Sequence, residues 1–207
     1  MANNYQDYVI KDGRLIGEFE KMYKECVDPW DQTSRERYQA SKALIINACN
    51  RLKFENECCK TLEIGCGYAN LSTKLFNLGF EVYATDISPT AIEEAKKING
   101  NINLYVSGFS EYKLYKEISP DIFIMSEISW YILPEISKFI KYIKKYHKGN
   151  YLIHSLATYS SDIQQYGKEY FHDMNSILDY FNLDYLEYGE VYDKRESGPR
   201  TFFVAKI

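Results

Sequence analysis

No apolar stretch in this 207-residue chain approaches the roughly 18 residues that a membrane-spanning helix needs. A helical membrane protein is therefore not expected. The opening "MANNYQDYVIKDGR" is polar and lacks the apolar core of a secretory leader. Cysteine is sparse and odd in number: Cys26, Cys49, Cys58, Cys59 and Cys66. No C-x-x-C occurs, and adjacent Cys58 and Cys59 do not have zinc-ligand spacing, so neither a metal centre nor a disulfide framework is expected. The thiols read as reduced and the compartment as cytoplasmic. Positive charge is not in excess, the formal net charge being -4, so no nucleic-acid partner is expected. Internal repeats and low-complexity linkers are absent.

What is present is ordinary for a soluble globular chain: 45% hydrophobic and 26% charged residues. The length predicts a single domain, 1–207, with a full core. Residues 1–16 read as irregular. "GEFEKMYKECVDPW" reads as a short amphipathic helix stopping near Pro29. "TSRERYQASKALIINACNRL" reads as a longer one, with Thr33 or Ser34 as N-cap and Glu36 in its first turn.

From Thr61 the period changes. "TLEIG", "FEVYATD", "INLYVSG", "PDIFIMSE" and "NYLIHSL" read as strands. "NLSTKLFNLG", "SPTAIEEAKKIN" and "LPEISKFIKYIKKYH" read as helices, the second with Ser88 as N-cap and Pro89 at its first position. Such alternation predicts a doubly wound, mostly parallel α/β sheet. After the helix "MNSILDYF", two β-like runs, "LDYLEYGEVYD" and "GPRTFFVAKI", predict an antiparallel C-terminal hairpin.

"TLEIGCGYANLS" places Gly65 and Gly67 at the end of the first strand of this series, where an open α/β sheet binds its ligand. Asp86 ends the next strand, 21 residues beyond Gly65, the spacing at which a carboxylate reaches ribose hydroxyls. The dinucleotide fingerprint asks for a third glycine or alanine at position 70, which is Asn70. Glu63 sits in the strand just before the glycines, unwelcome beside a pyrophosphate but suited to an amino group or a sulfonium.

"LEIGCGYA" resembles motif I, E/D-x-G-x-G-x-G, of the class I S-adenosylmethionine-dependent methyltransferases, with Ala69 in place of the last glycine. "YATDIS" resembles their ribose-binding motif. "SEISWYI" resembles the "SEVLYYL" of the nodulation N-methyltransferase (NodS-like) subgroup, and "DPWDQTSRERY" resembles an N-terminal stretch of that subgroup. The resemblance spans roughly residues 28–156. It implies a seven-stranded Rossmann-like sheet and S-adenosyl-L-methionine as cofactor, with S-adenosyl-L-homocysteine as product. It divides the domain into an N-terminal helical cover (1–56), a cofactor-binding core (57–156) and an acceptor-side connector with the terminal hairpin (157–207).

The resemblance also implies site residues. Glu63 lies near the methionine end of the cofactor. Gly65, Cys66 and Gly67 pass their backbone beneath it. Asp86 takes the ribose hydroxyls, and Ile87 packs against adenine. Many relatives bind the adenine amino group through an Asp after the third strand; here "VSGFSEY" puts Gly108 or Phe109 there. Ser126 and Glu127 lie where methionine and acceptor meet. Trp30 and Tyr38 close over the site from the cover.

Residues for catalysis are Glu127, His154 and Tyr131, with His172 as a further base. For His154 the alternative is a satisfied core histidine; for Glu127, a cap on the following helix; for Tyr131, aromatic core packing. His147 reads as a solvated histidine at a helix end. Arg195 and Arg200 read either as polar surface or as a grip on an anionic acceptor.

The expected activity is methyl transfer to N or O of a small polar or sugar-derived acceptor, in surface polysaccharide biosynthesis by likeness to the subgroup. Two rivals stay open. One is a catalytically inactive S-adenosylmethionine-binding regulatory protein; the other is an NAD-dependent oxidoreductase. The sequence leaves the acceptor and the oligomeric state open.

Overall fold

The computed structural model describes residues 5–32, 40–159, 164, 166–194 and 198–207. The N-terminal part holds α1 (Gln6–Val9), a small hairpin of β1 (Ile10–Lys11) and β2 (Arg14–Leu15), α2 (Phe19–Glu25) and α3 (Ala40–Asn56). The core follows as β3 (Lys60–Ile64), α4 (Asn70–Asn77), β4 (Glu81–Asp86), α5 (Pro89–Ile98), β5 (Asn103–Val106), α6 (Tyr112–Ile118) and β6 (Ile122–Ser126). A 3-10 turn at Ser129–Tyr131 leads into α7 (Leu133–Tyr146) and β7 (Tyr151–Ala157). The chain closes with α8 (Met174–Phe181), β8 (Asp184–Val191) and β9 (Arg200–Lys206).

The seven-stranded sheet runs β5-β4-β3-β6-β7-β9-β8. Strands β5, β4, β3, β6 and β7 are parallel. Strand β9 pairs antiparallel with both β7 and β8, so the C-terminal hairpin expected from the sequence completes the sheet. The pleat divides β6 between two cores. Ile122 and Ile124 face α3, α4 and α5, while Phe123 and Met125 face α6, α7 and α8. A strand buried on both faces must be continuously apolar, and "IFIM" is. The edge strand β8 alternates exposed and half-buried residues instead.

Local chemistry accounts for most boundaries. Ser88 accepts a hydrogen bond from the Ala91 N–H (3.1 Å), and Pro89 opens α5 at the position where its missing N–H is harmless. Asp173 and Ser176 form a reciprocal capping box on α8.

Three readings change. Residues 1–16 are not wholly irregular: Asp12 (φ 50°) and Gly13 (φ 70°) form an Asp-Gly hairpin turn between β1 and β2. Helix α6 bridges β5 and β6, a crossover that a parallel topology requires. His147 is not solvated. It is 4% exposed, packed edge-on against Phe123, and burial lowers its basicity. The helix start expected at Thr33 or Ser34, with Glu36, lies outside the described residues.

The parallel strands end together at Ile64, Asp86, Val106, Ser126 and Ala157. From β3 the chain winds outward to β4 and β5, then crosses to β6 on the other side. This reversal opens a crevice above the carboxyl ends of β3 and β6.

Candidate functional site

The crevice is a cavity of about 520 Å³. Its floor is the loop after β3. Gly65 (φ +72°) and Gly67 (φ +55°) lie in the left-handed region, and a Cβ at Gly65 would sit 2.5 Å from the Ile128 methyl group. A Cβ at Gly67 would collide with the Gln32 amide and the Tyr23 hydroxyl. The loop is pinned from below, where the Gly65 and Cys66 N–H groups donate to the Thr85 carbonyl (2.8 and 2.9 Å). It is pinned from above by Gln32, which accepts from the Tyr68 N–H (2.7 Å) and donates to the Cys66 carbonyl (3.2 Å).

Ala69 takes the left-handed conformation too (φ 56°, ψ 34°), at the position where motif I ends in glycine. An L-residue there costs about 1–2 kcal/mol. Ala69→Gly relieves that strain but frees the unfolded chain, which offsets about 0.4–1 kcal/mol. The expected net gain is about 0.5–1 kcal/mol, read as a higher urea midpoint.

Two carboxylates flank the loop. Glu63, on β3, is 4% exposed, and its Oε2 accepts from the Ser72 N–H (3.0 Å) and the Ser72 hydroxyl. It thereby caps α4, whose own N-cap position, Ala69, has no side chain to do so. Burial pushes Glu63 up to about 7, against the pull of Ser72 and of Lys42 toward the charged form. Asp86, at the end of β4, is 7% exposed. It accepts from the Gly67 N–H (2.9 Å) through one oxygen and from the Ser88 N–H (2.9 Å) through the other. Burial raises its pKa, and these amides oppose the rise.

Glu127 follows β6 at φ +62°, a strained position for a residue with a side chain. Its Oε2 accepts from the Ala157 N–H (2.7 Å), while Oε1 takes a long bond from the Ser155 hydroxyl (3.4 Å) and faces the Arg200 Nε (3.6 Å). The side chain is 34% accessible, but into the cavity, and burial raises its pKa while Arg200 lowers it. Lys42, on α3, lines the same cavity; burial lowers its basicity, and Glu63 and Glu127 oppose that.

The N-terminal cover closes the opening with aromatic rings. Trp30 packs against Tyr5 (4.9 Å) and Tyr131 (5.7 Å), and Tyr131 against Phe19 (5.3 Å). The cover is tied to the core by Glu20, which accepts from the Ser88 hydroxyl and from the Thr90 N–H and hydroxyl.

Of the residues expected from the sequence, Trp30, Glu63, Gly65, Gly67, Asp86, Ile87, Phe109, Ser126, Glu127 and Tyr131 all line this cavity. Burial holds the Tyr131 phenol protonated. Arg200 lines it as well, beside Glu127. Tyr38 and Arg195 lie outside the described residues.

Four expected residues are not brought there. His154 is fully buried in the core, stacked on Phe203 (4.8 Å) and bonded through Nε2 to the Ser129 hydroxyl (2.8 Å). Burial drives it down to about 3, which favours the neutral ring. Cys66 is not in the lining, and its thiol lies in the core beneath the loop. Gly108 does not reach the lining, and Ser107 does. His172 is exposed beside Asp173 (3.5 Å), away from the cavity.

Sequence reasoning missed Gln32, Lys42, Ser107 and Glu135, all in the lining. Gln32 sits in "DPWDQ", so the cover motif carried a signal. A lysine in a helix looks like solvated surface, and Lys42 had none.

A search of the curated proteins gives no match. The methyltransferase domain family matches residues 62–152. Among solved structures, the N-methyltransferase NodS from Bradyrhizobium japonicum WM9, in complex with S-adenosyl-L-homocysteine, superposes with a TM-score of 0.64. Identity is 15%, over 99% of this chain and 98% of that one. The magnesium protoporphyrin IX methyltransferase ChlM from Synechocystis PCC 6803, with bound S-adenosyl-L-homocysteine, gives 0.59 at 15% identity, over 86% of this chain and 91% of that one. TehB from Haemophilus influenzae gives 0.58 at 17% identity, over 86% of this chain; the chain spans only 66% of TehB. The chain has the methyltransferase fold, with the methyltransferase domain matched across residues 62–152.

Proposed function

We propose that this chain is an S-adenosylmethionine-dependent methyltransferase acting on N or O of a small polar or sugar-derived acceptor. One observation carries the reading. Two buried carboxylates, Glu63 and Asp86, end adjacent parallel strands and flank a glycine loop with no room for side chains, in the same cavity as Glu127. Such a cradle suits a ligand with ribose hydroxyls at one end and a cationic amino acid at the other. S-Adenosylmethionine, when bound, supplies an already activated methyl group.

The chain's own residues then bind, orient and exclude water. Asp86 holds the ribose, with Ile87 and Phe109 beside the adenine. Gly65 and Gly67 let the backbone approach, and Glu63 faces the methionine amino group. Trp30, Tyr131 and Phe19 shut out solvent, which favours the in-line approach of acceptor to donor. Glu127 accepts a hydrogen bond from the acceptor amine or hydroxyl. Burial makes its carboxylate a better proton acceptor than an exposed one, and Arg200 tempers that. The name of NodS, an N-methyltransferase, favours nitrogen as the acceptor atom, and the "SEISWYI" resemblance to the NodS-like subgroup is the ground for an acceptor from carbohydrate or surface-polysaccharide chemistry.

The test is calorimetric titration with S-adenosylmethionine, S-adenosylhomocysteine and NAD. Micromolar binding of the first two and none of NAD is expected. Failure to bind either sulfur nucleotide overturns the proposal.

A further inference from the structure

We infer that Glu135 recognises the purine 6-amino group and restricts the nucleoside to adenosine over 6-oxo purines. The inference deepens the methyltransferase reading and rests on it. The cavity's outer end lies beyond Asp86, between the ends of β4 and β5. Ser107 joins those ends, its N–H donating to the Asp86 carbonyl (2.9 Å). Two apolar side chains serve this end. Ile87 follows Asp86 and is 57% exposed, and Phe109 is held against Phe139 on α7 (5.0 Å). Apolar side chains suit the face of a purine ring, but they do not distinguish one purine from another.

The side chains of the loop from Ser107 to Ser110 include hydroxyls but no carboxylate. The carboxylate comes from another element. Glu135, in the first turn of α7, lines the cavity. The other lining acids lie elsewhere: Glu63, Asp86 and Glu127 at the ends of β3, β4 and β6, and Asp31 in the cover. The Ser110 hydroxyl donates to Glu135 Oε2, which fixes the carboxylate to the loop that carries Phe109.

The plain alternative is a first-turn acid complementing the helix dipole. It does not account for the orientation. No side chain caps α7, and Glu135 reaches across to a different element instead. A carboxylate that accepts only is matched by an amino group. A 6-oxo purine puts an oxygen against it, and a site built around a polar group rejects an analogue lacking it more strongly than an apolar pocket can.

The experiment is calorimetry on the whole chain with S-adenosylhomocysteine and its 6-oxo counterpart, S-inosylhomocysteine. The wild type is expected to favour the adenosyl ligand by about tenfold or more, the range for a hydrogen bond to a charged group. Glu135→Ala should bring the two ligands within about threefold, chiefly by weakening the adenosyl one. Glu135→Gln presents an amide that can turn its oxygen to a 6-amino group or its N–H to a 6-oxo oxygen, so it too should bring the two ligands within about threefold. A wild type that binds both ligands equally, or an alanine variant that keeps the preference, overturns the role of Glu135 and leaves the methyltransferase reading standing. A wild type that binds neither ligand overturns that reading, and this inference falls with it.

Discussion

Asp86→Ala is expected to cost both the ligand and the loop. Its two oxygens accept the Gly67 and Ser88 N–H groups at 2.9 Å each, so alanine leaves two buried donors without their acceptor. At about 1–3 kcal/mol per orphaned group, the loss of stability is about 2–5 kcal/mol. The same carboxylate joins the glycine loop to the start of α5, so the loop loses its fixed shape as well. Under the proposed function, S-adenosylhomocysteine affinity falls more than about a hundredfold, since ribose contacts and loop geometry go together. Urea unfolding and calorimetry on the same preparations check both parts. Asp86→Asn separates them. It keeps one acceptor oxygen, so it should fold better than alanine yet bind the nucleotide poorly. If either variant is destabilised but binds with unchanged affinity, Asp86 is only a clamp for the loop.

The site was legible in the sequence only in part. The alternation of strands and helices, the glycine turn and the terminal hairpin follow from periodicity and breakers, which act locally. Glu63, Asp86 and Glu127 were legible because they stand at strand ends, where parallel topology gathers residues distant in the chain. Their hydrogen bonds were not legible. Glu63 caps a helix through Ser72 and also faces the cavity. The choice between base and core histidine for His154 was not legible, because position along a strand does not tell which face a side chain takes. In β7 both faces are covered, so either leads into core. Gln32, Lys42 and Glu135 come from the cover and two helices, and only the tertiary packing brings them to the strand ends.

Glu63 gives the second large effect, and its sign runs opposite to that of a salt-bridged acid. Burial lifts it from 4.5 to about 7, so between those values the folded chain holds a proton that the unfolded chain has lost. Stability then falls as pH rises, because the native state binds more protons. The contribution is fully present below pH 4.5 and is gone above about 7. At 1.36 kcal/mol for each pH unit, the fall amounts to about 3 kcal/mol. Glu63→Gln removes the titration but keeps a carbonyl for the Ser72 N–H and hydroxyl. The variant should match the wild type near pH 5 and exceed it by about 3 kcal/mol near pH 8, read as urea unfolding free energies across that range. Parallel curves would mean that Lys42 keeps Glu63 charged throughout. Ligand binding gives the complementary readout. If a cationic amino group of the cofactor lies beside Glu63, it favours the carboxylate and expels the proton. Wild-type affinity for S-adenosylhomocysteine should then rise from pH 6 to pH 8, with proton release visible as a buffer-dependent heat. In Glu63→Gln both the rise and the proton release should vanish, and their persistence would move the amino group away from Glu63.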